Sequence, residues 1–145
     1  MGNGKGNEPV RILLAEDDDD DFFLTCQALK KNRLLNEIER VKDGEELMHY
    51  LRHQKETAPK PSLILLDLNM PRMDGREALR EIKSDPKLRI IPVVVLTTSR
   101  AEEDVVRSYE FGVNSFITKP VTFQGMVEAM KTLGRYWFEV EELPT

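Results

Sequence analysis

A small set of side chains in this sequence has the types and positions to do chemistry together. Glu16 and Asp17 open an unbroken acidic run that ends at Asp21 and follows the apolar stretch Val10–Ala15. Asp67 comes straight after Leu63-Ile64-Leu65-Leu66, and Thr97 closes the apolar stretch Ile90–Leu96. Lys119, with Pro120 next to it, follows Ser115-Phe116-Ile117-Thr118. Each group stands at the carboxyl end of an apolar segment, where open α/β sheets bind ligands. Three carboxylates meeting there would repel by about 4 kcal/mol per pair at about 4 Å and an effective dielectric near 20. A cation removes that cost. An open, all-oxygen set suits Mg²⁺, which keeps several waters and takes one or two carboxylates plus a phosphate. The main-chain carbonyl of Asn69 could complete the shell. Zinc is disfavoured, because the sequence has no Cys/His cluster, and His49 and His53 read as solvated groups one turn apart.

With a metal beside it, Asp67 has the chemistry of a nucleophile towards phosphorus, forming an aspartyl phosphate. The transferred group spreads its charge over several oxygens, so the protein mainly positions and neutralises. Mg²⁺ would supply one counter-charge and Lys119 another, with the Thr97 hydroxyl donating a hydrogen bond. No G-x-x-x-x-G-K or G-x-G-x-x-G loop is present to hold a nucleotide donor. Phosphate should therefore arrive from something else.

The elements that must position these groups alternate regularly. Strands are expected at Val10–Ala15, Glu37–Val41, Leu63–Leu66, Ile90–Leu96 and Ser115–Thr118, the third apolar throughout as in a sheet buried on both faces. Between them lie helices through Phe22, Cys26 and Leu29; Leu47, Tyr50 and Leu51; Ala78, Leu79 and Ile82; and Val105, Val106 and Tyr109, the last ending at Gly112. A final helix carries Met126, Met130, Leu133 and Trp137 as one apolar stripe, read as core. Part of the acidic run at 16–21 caps the first helix, where the macrodipole welcomes negative charge. Capping uses only one or two of these acids, which leaves Glu16 and Asp17 to explain. Arg52–Pro61 reads as a loop. Five β-α units make a doubly wound five-stranded parallel sheet with helices on both faces.

Size and composition fit one domain. The chain has 145 residues, 40% hydrophobic and 32% charged, and a formal net charge of −5. That charge argues against bulk attraction to nucleic acid or anionic membrane. The single cysteine, Cys26, allows no intrachain disulfide, fits a reducing compartment and falls on a core face of its helix. No apolar run approaches a membrane span, and the start reads as a flexible tail rather than a signal peptide. A cytoplasmic protein is expected.

The acidic pair, the Asp67-x-Asn-Met-Pro-x-Met-Asp-Gly stretch, Thr97 and Lys119-Pro120 together resemble the receiver domain of two-component response regulators. The resemblance covers residues 9–138, with 1–8 as a tail and 139–145 as an extension. It implies a flavodoxin-like sheet of order 2-1-3-4-5 and Asp67 as phosphoacceptor. Asp17, Asp67 and the Asn69 carbonyl would bind Mg²⁺, with Glu16 acting through water. Thr97 and Lys119 would contact the phosphoryl group, and the Lys119–Pro120 bond would be cis. Asn69 and Ser99 stand where phosphate lifetime is tuned. Glu16 is a longer acid where Asp is frequent, which should preserve metal binding. Phe116 is the switch aromatic; it lacks the hydroxyl of the tyrosine found in many members.

With no further domain after residue 138, a stand-alone receiver is expected. It would be no turnover enzyme, catalysing only its own phosphorylation and slow dephosphorylation. Its partner would be a sensor histidine kinase, and the ending Arg135–Pro144 with the loop at 52–61 resembles single-domain regulators that partner bacterial phytochromes. Tyr136, Trp137 and Phe138 diverge around a helix, so a homodimer through the last helix is expected. The output would be a phosphorylation-driven change across the helix before the last strand, that strand and the last helix. Two other classes carry the same fold: a docking module independent of phosphorylation, and a Mg²⁺-dependent phosphatase. The full acid, threonine and lysine set opposes the first. Asn69 in place of a general acid two residues after Asp67, with no cap insertion, opposes the second.

Overall fold

A computed structural model of the chain describes residues 11–32, 37–53, 61–70, 72–97, 115–120 and 122–142, with 135–142 as backbone. The strands are β1 (Arg11–Ala15), β2 (Glu37–Val41), β3 (Leu63–Asp67), β4 (Val93–Thr97) and β5 (Ser115–Thr118). The helices are α1 (Asp19–Lys31), α2 (Gly44–Arg52), α3 (Gly75–Ser84) and α4 (Phe123–Glu142). All five strands join one sheet, ordered β2-β1-β3-β4-β5, with every pairing parallel. This is the flavodoxin-like order that the resemblance implies. The tail at 1–8, the helix expected through Val105, Val106 and Tyr109, and most of the loop at 52–61 lie outside the described residues. α4 runs on to Glu142, past residue 139 where the extension was expected to begin.

Successive side chains of a strand point to opposite faces, and the central strands are apolar on both. Leu13, Ile64, Leu66, Val93 and Val95 therefore meet α2 and α3 in one core, with Leu47, Leu51, Leu79 and Ile82. Ile12, Leu14, Leu63, Leu65, Val94 and Leu96 face the other way, onto Leu29 of α1 and Met126, Met130 and Leu133 of α4. Burying each of these aliphatic side chains is worth about 1.5–3 kcal/mol, so the two cores clamp the sheet between helical layers. Cys26 packs at the edge of the second core.

Helix starts are set by aspartates. Asp18, Asp43 and Asp74 are the N-caps of α1, α2 and α3, each accepting backbone N–H groups of the first turn. Gly75 follows because α3 starts against the end of β3: a Cβ there would lie 2.4 Å from the Asp67 carbonyl oxygen. The fourth strand begins later than the apolar run from Ile90 suggests. Residues 86–90 form a turn, with Lys87 and Leu88 donating to Asp85 Oδ1, and Ile90 is exposed. Pro92 has no N–H for the ladder, but its carbonyl accepts from Ile64 N, and pairing proper starts at Val93. Among the described residues no helix is long and apolar enough to cross a membrane.

Candidate metal and phosphoryl site

Strand alternation carries three charged groups to one face. Glu16 continues the phase of Ile12 and Leu14, Asp67 that of Leu63 and Leu65, and Lys119 that of Ile117, all on the side of α1 and α4. There the Lys119 ammonium stands 2.8 Å from Glu16 Oε1, 3.0 Å from Asp21 Oδ2 and 3.2 Å from Asp67 Oδ2. Its side chain is 12% exposed and that of Asp67 is 3%, so water screens these charges poorly. Asp67 Oδ1 accepts the Asn69 N–H at 3.0 Å, and Glu16 Oε2 accepts the Asp18 N–H at 3.2 Å. Glu16 Oε1 is fully buried and lacks an aligned hydrogen bond despite its nearness to Lys119. From β2, Arg40 donates to the Glu16 carbonyl at 3.0 Å, pairs with Asp19 and lies 4.4 Å above the Phe22 ring. That contact fixes the start of the acidic run.

Carboxylate oxygens of Glu16, Asp17 and Asp67 all lie within 4.8 Å of one another. At that range each fully charged pair repels by about 3 kcal/mol with an effective dielectric near 20. The consequence is visible in Glu16: burial first, and then the Asp67 charge, push it up to about 7 against the pull of Lys119. Burial alone would lower Lys119, but Glu16, Asp67 and Asp21 outweigh it and hold the ammonium above the usual lysine range. One lysine does not neutralise this acid group. An oxygen-only donor set with surplus negative charge fits a hard divalent cation.

Thr97 is on the other side of the sheet by the same alternation, in phase with Val93 and Val95. Its Oγ1 is fully buried and has no hydrogen-bond partner among the described residues, an arrangement that costs about 1–3 kcal/mol. β5 pairs Phe116 with Val95 and Thr118 with Thr97, so Phe116 shares the face and neighbourhood of Thr97. Phe116 is half-buried against the α2/α3 core. Ser99 lies outside the described residues.

A family model for the response regulator receiver domain matches residues 12–131. The chain belongs to the response regulator receiver family. Rcp1 of Synechocystis sp. is 43% identical over 142 residues, 97% of each chain. The structure of its Mn²⁺-bound form superposes with a TM-score of 0.80 over 94% of this chain and 100% of that one. The phosphorylated cyanobacterial phytochrome response regulator RcpA is 44% identical, with a TM-score of 0.82 over 95% of this chain and all of the other. The bacteriophytochrome response regulator AtBRR is 45% identical, with a TM-score of 0.75 over 88% and 94%.

In this receiver the described residues contain no cis peptide bond, which corrects the expected cis form of Lys119–Pro120. The trans form of a bond before proline is favoured by about 0.5–1 kcal/mol. Here the Lys119 N–H also bonds the Thr97 carbonyl at 2.8 Å, extending the β4–β5 ladder one residue past the strand. The receiver also holds site residues that the sequence reading passed over. In sequence, helix capping suffices to explain Asp21, yet it sits in the third position of α1 and accepts a hydrogen bond from Lys119. A helical side chain leans towards its own N-terminus, so the third position after cap Asp18 was the available signal. Arg40 gave no such signal, because a lone arginine on an edge strand reads as solvated.

Proposed function

We propose that this receiver accepts a phosphoryl group on Asp67 from a sensor histidine kinase and passes the signal on through its surface. One observation carries the reading: Asp67 is a buried carboxylate at the end of the central strand, crowded by Glu16 and Asp17 and answered by Lys119 at 3.2 Å. In the reaction an Asp67 oxygen attacks phosphorus, and an acyl phosphate forms. The P–N bond to the donor histidine breaks, and its electron pair stays on the imidazole, which takes up a proton. The Asn69 N–H orients one carboxylate oxygen. Lys119 moves from the other onto the incoming phosphoryl oxygens, and the unpartnered Thr97 hydroxyl turns to donate to them. Glu16, Asp17, Asp67 and the Asn69 carbonyl would hold Mg²⁺, with Glu16 acting through water. When bound, the ion supplies positive charge beside the phosphoryl oxygens. The protein is a phosphoacceptor, without turnover of a free substrate. Asn69 and Ser99 tune how long the phosphate stays.

Phosphorylation adds close to two negative charges. Movement of Thr97 frees space beside Phe116 on the same face, which links the pocket to β5, to α4 and to the segment between β4 and β5. Driving such a switch from 1:99 to 99:1 takes about 5.5 kcal/mol of differential interaction. The phytochrome response regulator RcpA and the bacteriophytochrome response regulator AtBRR support a bacteriophytochrome-type kinase as donor, and the single cysteine fits the cytoplasm as the place of the exchange. A homodimer through α4 is proposed from Tyr136, Trp137 and Phe138, which cannot all face one side of a helix. With acetyl phosphate and Mg²⁺, wild type should take up acid-labile phosphate stoichiometrically and Asp67→Asn none; equal labelling of the variant would remove Asp67 from this role. Sedimentation of the same two samples reports the dimer, and monomers throughout would remove it.

A further inference from the structure

Among the described residues Lys119 has three carboxylate partners, and two have other duties. In the reading above, which this inference rests on, Asp67 receives the phosphoryl group and Glu16 helps to seat a cation. Asp21 has neither duty. It lies in the first turn of α1, its side chain is 40% exposed, and its Oδ2 is 3.0 Å from Lys119 Nζ. It is not one of the carboxylates that converge as possible metal ligands. We propose that Asp21 is a positioning residue that tethers the Lys119 ammonium at the mouth of the pocket. The ammonium then stays within reach of Asp67 when Glu16 and Asp67 take other partners.

The anchor is stiff where the lysine is not. Asp18 Oδ1 accepts the Asp21 N–H at 2.8 Å, and the Asp21 carbonyl accepts from Thr25 Oγ1 at 2.8 Å. Arg40 binds the neighbouring Asp19 and the Glu16 carbonyl, locking this turn to the end of β1. Lysine is a point charge on a long flexible stem, so a fixed charge-assisted partner decides where its head rests. Asp20 supplies an internal control. It is an exposed acid on the same turn with the same charge, and among the described residues the ion pairs of Lys119 are with Glu16, Asp21 and Asp67 instead.

The experiment uses the full chain, with acetyl phosphate as donor and Mg²⁺ saturating. Asp21→Asn should lower the maximal labelling rate about tenfold, as loss of outer-shell partners does, and leave the half-saturating donor concentration within about twofold. Asp21→Glu should recover most of the rate, and Asp20→Asn should behave as wild type. In a Lys119→Met background Asp21→Asn should change nothing further, because the two act as one unit. Without metal, ¹⁵N NMR should show a slowly exchanging Lys119 ammonium in wild type that is lost in Asp21→Asn. Full additivity with Lys119→Met, an equal defect in Asp20→Asn, or an unchanged ammonium signal overturns the tether. If wild type takes up no phosphate while the ammonium signal still depends on Asp21, the tether stands and the phosphoacceptor reading falls.

Discussion

Asp43 and Asp67 are both carboxylates buried near strand ends, and they have opposite surroundings. Asp43 is fully answered. Its Oδ1 caps α2 by accepting the Glu46 N–H at 2.8 Å, and its Oδ2 pairs with Arg72 at 2.8 Å. Around it the backbone is closed tightly: Gly44 N–H bonds the Met73 carbonyl, and a Cβ on Gly44 would lie 2.2 Å from that oxygen. Arg72 holds a left-handed φ of 63°, at about 1–2 kcal/mol, and its salt bridge offsets part of that. Asp67 shares one ammonium with Glu16 and Asp21 and has a further acid, Asp17, close by. Burial is common to the two sites. What separates scaffold from reactive site is the ratio of like charge to counter-charge.

That contrast is most exposed at Lys119. Replacing it with Met should slow phosphate uptake from acetyl phosphate about 100-fold, in line with losing a charge-stabilising donor. Calorimetric Mg²⁺ affinity should rise, since the ammonium no longer competes for Glu16 and Asp67; weaker binding would mean that lysine helps to seat the ion. Next in size, Asp43→Ala removes a helix cap and an ion pair, and should cost about 2 kcal/mol in urea unfolding. Asp67→Ala without metal should cost less than about 1 kcal/mol, because it also relieves repulsion. Equal losses would erase the distinction between the two carboxylates.

The smallest effect is a pH slope. Glu16 is held up to about 7 in the folded protein against 4.5 unfolded, so the fold binds the extra proton between these values. Stability of the metal-free protein should therefore fall as pH rises from 4.5 to 7, contrary to the usual carboxylate trend. Mg²⁺ affinity should run the other way, dropping up to about tenfold per pH unit below 7, because the ligand must lose its proton first. Glu16→Gln should flatten both slopes. Slopes that persist in that variant would assign them to another group.

Much of the site was legible because strand phase and apolar runs are local. Leu63–Leu66 announced a strand buried on both faces, and its next residue, Asp67, inherited a face from Leu63 and Leu65. Glu16 and Lys119 were readable in the same way. Asp21 was not, since its partner lies 98 residues away and its capping explanation looked sufficient. The Asp43–Arg72 pair was hidden too: Arg72 reaches Asp43 only because the chain takes a left-handed turn there. Apolarity alone starts β4 at Ile90, which is as apolar as its neighbours, and what excludes it from the sheet is the Asp85 turn and Pro92.

By itself the chain of residues determined the alternation of strands and helices, the two-sided core and an acidic strand end that calls for a cation. Those properties follow from periodicity and net charge, which neighbours along the chain set among themselves. Only the tertiary structure decided which member of the acidic run at 16–21 reaches Lys119, that Lys119–Pro120 is trans, and which buried aspartate is neutralised. Those outcomes depend on how α1 and β5 dock across β1 and β3, and the energy of a charge depends on every neighbour that docking brings near.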